Sequence, residues 1–155
     1  LEYSEEEKLE LANRKNNYYI ESISAFTPAN LYPGALELLE ALKEKGAKIG
    51  LVSASKNAGQ LIDSLGIRDY FDYIYHPDET ERGKPYPDPF LKGAEMLAMP
   101  PSDCIGVEDA QAGIESINAA GMTAVSIGTD DLAEADAVFA TIKDASSYLL
   151  DWLEV

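Results

Sequence analysis

The chain is poor in cysteine, histidine, tryptophan and positive charge. It has one each of Cys, His and Trp, and 12 Lys and Arg against 28 Asp and Glu, for a formal net charge of −16. One cysteine excludes an intramolecular disulfide and fits a reducing, cytoplasmic setting. Cys104 opens an apolar run and reads as a small buried filler rather than a reactive thiol. The lone His76, in the turn-like run Tyr75-His76-Pro77-Asp78-Glu79-Thr80, reads as a solvated loop residue. The scarcity of cations excludes nucleic acid as a partner, because that interface needs a basic footprint. It also means that local cations, metal or lysine, must reverse the field wherever an anionic substrate binds. No apolar run approaches the length of a membrane-spanning helix, and the first residues are too acidic for a signal peptide. Leu1 is not an initiator, which reads as a processed, cleaved or excerpted chain. Internal repeats and low-complexity segments are absent as well.

With 155 residues there is enough chain for one domain with a real core and a small appendage. Residues 4–25 read as a helix. Ser4 and Glu7 form a capping box, and Leu9, Ala12, Tyr19, Ile23 and Phe26 recur at helical spacing, with the polar Asn16 on the same stripe. Thr27-Pro28 ends it, and the stretch to Pro33-Gly34 reads as a hinge. The expected organisation is a partial helical cap over 1–27, a linker over 28–33 and an α/β core over 34–155. In that core helices are expected over 35–45, 58–65, 111–120 and around 148–153, with one more capped by Asp88 and carrying Pro89 at its first position. Strands are expected over 48–53, 70–75, 104–107, 123–127 and 137–140. Such alternation predicts a Rossmann-like parallel sheet flanked by helices, whose sites lie beyond the carboxyl ends of the strands.

Three segments on that rim carry chemistry. Ser53-Ala54-Ser55-Lys56-Asn57 follows a strand and opens a helix, so its hydroxyl and free N–H groups suit an anion. Ser55 or Asn57 serves equally as a plain helix cap. Gly83-Lys84-Pro85-Tyr86-Pro87-Asp88 is stiffened by its prolines, which places Lys84 reproducibly for a phosphate oxygen or a carboxylate. Glu108-Asp109 ends an apolar strand. Two adjacent carboxylates are costly to bury without a cation between them, and magnesium is held by one or two carboxylates plus phosphate oxygens where phosphate is handled. The alternative is Asp109 as the cap of the next helix and Glu108 as a solvated strand end.

A strand ending in serine, a Gly-Lys-Pro lysine and a strand ending in an acidic pair resembles the haloacid dehalogenase-like phosphotransferases, from about Leu31 to the C-terminus. The strings SASKN and GVEDAQAGIESINAAGM, with the RKNNYY helix upstream, are similar to the β-phosphoglucomutase subfamily. The resemblance implies that Ser53 and Ala54 bind the transferring phosphoryl group, that Lys84 neutralises it, and that Glu108 and Asp109 ligate Mg2+. It further implies that Ser55, Lys56 and Asn57 hold the distal phosphate of a sugar, and that Lys15 and Asn16 reach it from the cap. The implied partner is a small sugar phosphate. The implied activity interconverts β-glucose 1-phosphate and glucose 6-phosphate through an aspartyl-phosphate and β-glucose 1,6-bisphosphate. A sugar-phosphate phosphatase, or a silent sugar-phosphate-binding fragment, is the alternative. Ala110 stands where the mutase pattern often has serine. The family's Asp-x-Asp-Gly motif does not occur in these 155 residues; Asp130-Asp131 lacks its glycine. Since that motif ends the family's central strand, the chain is expected to resemble the C-terminal part of such an enzyme. It is expected to show two unpaired sheet edges and to need its N-terminal segment, covalent or associated, for stability and turnover.

Overall fold

The computed structural model describes residues 3–128 and 132–154. The Asp130-Asp131 pair lies outside them. Among the described residues six α-helices, α1 (Glu5–Ser24), α2 (Ala35–Glu44), α3 (Ala58–Ser64), α4 (Asp88–Met96), α5 (Gln111–Ala119) and α6 (Ile142–Trp152), are interspersed with five short strands. The strands are β1 (Gly50–Leu51), β2 (Tyr73–Ile74), β3 (Ile105–Glu108), β4 (Thr123–Ile127) and β5 (Ala137–Phe139). All pairings are parallel, as the βα alternation requires. The sheet is divided, however. β1 pairs with β2, while β3, β4 and β5 form a second ladder in that order.

The helices cover both faces. Phe90 and Ala94 of α4 and Ile114 and Ile117 of α5 pack with Ala124 of β4. On the opposite face Val125, Ala145 and Leu149 are packed by Leu38 of α2 and by Phe139 and Tyr148. Successive residues of β4 thus serve opposite layers, the period-2 rule of a strand buried on both sides. Gly66 and Gly121, with φ of +71° and +75°, close α3 and α5 in the left-handed conformation that glycine tolerates.

Several elements differ from expectation. β1 and β2 are shorter than 48–53 and 70–75. The Ile49 N–H goes to the Asp72 carboxylate (2.8 Å), residues Arg68–Tyr70 form a 3-10 turn, and beyond Val52 the chain turns so that the Ser55 N–H reaches Ser53 Oγ (3.1 Å). Asp88 is the first helical residue of α4 rather than its cap, a position held by Pro87, because its carboxylate is engaged by Arg82. α6 starts earlier, capped by Thr141 Oγ1 accepting from the Asp144 N–H. Its polar opening turn masks the apolar stripe in the sequence. On α1 the capping box forms as read, with Ser4 and Glu7 exchanging bonds of 2.8 and 3.2 Å. Its apolar stripe is not a core face, though: Ile23 is buried, whereas Leu9 is 63% exposed. α1 contacts the rest of the fold mainly along α3.

Candidate active site

Lys84 is the hub. Its ammonium donates to the Val52 carbonyl at the end of β1 (2.9 Å), pairs with Glu108 Oε1 at the end of β3, and lies 5.0 Å from the centroid of the Phe90 ring. Both charged side chains are largely withdrawn from water, with 16% of Lys84 and 11% of Glu108 exposed. In that setting the pair attracts far more strongly than a surface ion pair.

The loop that carries Lys84 is tied down on both sides. Arg82 makes a two-pronged contact with Asp88 (3.1 and 2.9 Å) and stacks 4.6 Å from the Tyr86 ring centroid. The fully buried Ser116 of α5 donates to the Tyr86 carbonyl (2.5 Å). The Lys84–Pro85 peptide is cis. Glu108 is cradled by the next helix. A Cβ added at Gly113 would fall 2.2 Å from Glu108 Cδ, so only glycine lets the carboxylate lie against α5. Asp109 is exposed and does not cap α5, whose cap position is Ala110 without a side-chain bond. The plain-cap alternative for Asp109 is thereby set aside.

A second cluster lies beside the first. Ser53 Oγ accepts from the Ser55 N–H, and Ser55 Oγ accepts from the Asn57 N–H (3.2 Å). Asn57 occupies the cap position of α3 but its side chain turns outward, Nδ2 donating to Asn16 Oδ1 of α1 (2.8 Å). Lys15, Asn16, Ser55, Lys56 and Asn57, with Ala12 and Tyr19, line a cleft of about 340 Å3 between α1 and this loop. Lys56 Nζ pairs with Asp78 (2.8 Å), and that bond, reinforced by the charges of Lys56 and His76, holds the Asp78 carboxyl below its ordinary range. Ala54 sits exposed between the two clusters.

The two groups of residues flagged in the sequence are therefore brought to one rim. His76 is half exposed and its Nδ1 accepts from the Asp78 N–H (3.3 Å), a local turn contact. Burial, then the charge of Asp103, pushes the Cys104 thiol up, so it stays protonated and unreactive at neutral pH. Arg82, Gly113 and Ser116 were not singled out by sequence, and Asp88 was read only as a helix cap. The available signals were a serine inside the apolar stripe of α5 and a glycine one turn after the acidic pair.

The donor set suits a hard divalent cation in part. Glu108 and Asp109 offer two carboxylates at one strand end, and the Gly113 cradle directs Glu108 toward the rim. Among the described residues no cluster of three or more His, Cys, Asp or Glu side chains converges. Further ligands would have to come from substrate oxygens, water or groups outside this cluster.

A family model of haloacid dehalogenase-like hydrolases matches residues 2–121. The chain belongs to that family. A β-phosphoglucomutase of Bacillus subtilis (strain 168) is 44% identical over 149 residues, covering 96% of this chain and 66% of the relative. The crystal structure of a β-phosphoglucomutase from Clostridium difficile superposes with a TM-score of 0.90 at 40% identity, over 98% of this chain and 69% of that one. A fructose-1-phosphate phosphatase of Escherichia coli (strain K12) is 40% identical over 79 residues, 51% of this chain and 42% of the relative. The family thus includes relatives named as mutases and as phosphatases, and the chain spans about two thirds of the B. subtilis mutase.

Proposed function

We propose that these residues form the phosphate-, metal- and sugar-holding part of a β-phosphoglucomutase that interconverts β-glucose 1-phosphate and glucose 6-phosphate through β-glucose 1,6-bisphosphate. The observation that carries the reading is the pairing of two anion-ready clusters on one rim. One is Ser53 with Lys84 above Glu108; the other is the Lys15–Asn16/Ser55–Asn57 cleft, walled partly by α1. A molecule with two phosphates suits two such clusters, and the 44% identity to the B. subtilis mutase supports the same choice.

In this reading Ser53 Oγ and the Ala54 N–H orient the transferring phosphoryl group, and Lys84 swings its ammonium onto the charge that develops there. Glu108 and Asp109 hold Mg2+, which, when bound, neutralises phosphoryl oxygens. Lys15 and Lys56 hold the distal phosphate by charge, and Asn16, Ser55 and Asn57 by hydrogen bonds. The substrate must turn over between half-reactions, which suits α1 as part of a cap (1–27) that hinges at 28–33 on the core. An aspartate nucleophile in an Asp-x-Asp-Gly setting has to be supplied from outside these 155 residues.

The test is phosphorus NMR on the complete protein with β-glucose 1-phosphate, Mg2+ and a trace of the bisphosphate. Accumulation of glucose 6-phosphate without inorganic phosphate is expected. Stoichiometric release of inorganic phosphate would replace the mutase by a phosphatase.

A further inference from the structure

We propose that Ser126 is a positioning residue for Glu108, donating its hydroxyl to that carboxylate when a divalent cation draws Glu108 away from Lys84. The inference rests on the metal reading above and extends it to a residue of the neighbouring strand. Ser126 is 1% exposed, and among the described residues its Oγ is a buried side-chain atom with no hydrogen-bond partner. Leaving a buried hydroxyl unpaired is destabilising. A strand as apolar as Thr123–Ile127 would fold at least as well with alanine there.

The register shows what the hydroxyl faces. Ser126 lies directly across the β3–β4 ladder from Glu108. Ala124 packs with α5 and Val125 with α6, so Ser126, two residues beyond Ala124, points to the α5 face. Glu108 is on that face too, since its carboxylate lies against Gly113 of α5. Paired positions on neighbouring parallel strands stand about 5 Å apart, within reach of a hydroxyl once a carboxylate rotates. Glu108 has room for that partner. Oε1 is held by Lys84, and Oε2 receives only a long contact of 3.3 Å from the Asp109 N–H. A hydroxyl that fixes the rotamer of a ligating carboxylate is the kind of outer support that typically changes metal affinity by about 10- to 100-fold.

The test is Ser126→Ala in the complete protein, read by calorimetric titration with Mg2+ and by thermal unfolding in cation-free buffer. The Mg2+ dissociation constant is expected to rise about tenfold, while the melting temperature without cation stays level or rises. The two readouts separate positioning from packing, because a merely structural serine would lower the melting temperature and leave the affinity alone. Any combination other than weakened Mg2+ binding with undiminished thermal stability overturns the assignment. If the wild-type protein takes up no Mg2+, the metal reading under the proposed function fails first and this inference falls with it.

Discussion

Replacing Lys84 by methionine isolates the energetics of the hub. Methionine keeps the length and apolar stem that pack near Phe90 but removes the charge. Glu108, 11% exposed, is then left without its ammonium partner, and the Val52 carbonyl loses the same donor. At an effective dielectric near 20, opposite charges in contact attract by about 4 kcal/mol. Removing one partner of a buried pair typically costs about 3–5 kcal/mol, because the other charge stays desolvated. We expect Lys84→Met to lose ~3 kcal/mol, which in a domain of this size lowers the melting temperature by roughly 6–12 °C. The double variant Lys84→Met/Glu108→Gln should be more stable than Lys84→Met alone, with a coupling energy of about 2 kcal/mol or more by double-mutant cycle in urea. Mg2+ at about 100 times its dissociation constant should restore ~2.7 kcal/mol to the single variant, since a cation again meets the carboxylate. Strictly additive losses, or a melting temperature within about 2 °C of wild type, would refute the account of Lys84 and Glu108 as a coupled, desolvated pair.

Gly113→Ala should push Glu108 off α5, because the new Cβ would lie 2.2 Å from its Cδ; a stability loss of about 1–3 kcal/mol and weaker Mg2+ uptake are expected by thermal melt and titration. Asn16→Ala removes the bond between α1 and the Ser55–Asn57 loop; steady-state kinetics on β-glucose 1-phosphate should show a higher KM with a smaller change in kcat, and an equal fall of both would argue against a binding role. Asp72 is held below the ordinary carboxyl range, first by the Ile49 N–H and then by Lys43. Its contribution is therefore complete above the ordinary Asp pKa and is lost as pH falls through its lowered folded value. The stability gap between wild type and Asp72→Asn should close on acidification, and a gap that widened in acid would contradict the assignment.

Much of the site was legible because its chemistry sits where polarity interrupts an apolar pattern. Ser53 and Glu108 each end an apolar run at a strand's carboxyl end, and the prolines around Lys84 announced a fixed lysine. The alternation of elements was equally plain, and 123–127 coincides with β4. What escaped depends on partners distant in sequence. The Asp88 cap failed because Arg82 captures the carboxylate from six residues away. The shortness of β1 and β2 follows from the Asp72 carboxylate taking a backbone donor that a strand reading assigns to a ladder. The stripe on α1 misled because periodicity records a helix's capacity to pack, not whether anything lies against it. Gly113 left only a faint trace, a glycine one turn after the acidic pair, and Ser126 left none, since it matters through its register with Glu108 across the ladder.

The division of the sheet affects how the molecule can share stress. No backbone ladder joins β1 to β3 among the described residues. Among the described residues the β1–β2 half and the β3–β5 half meet through Lys84 on the rim, α4 against α5 on one face, and α2 against α6 on the other. Backbone ladders propagate cooperativity, whereas side-chain seams can part locally at a fraction of the global cost. Across the seam between the two halves, the Lys84 ammonium is therefore the rivet on the rim.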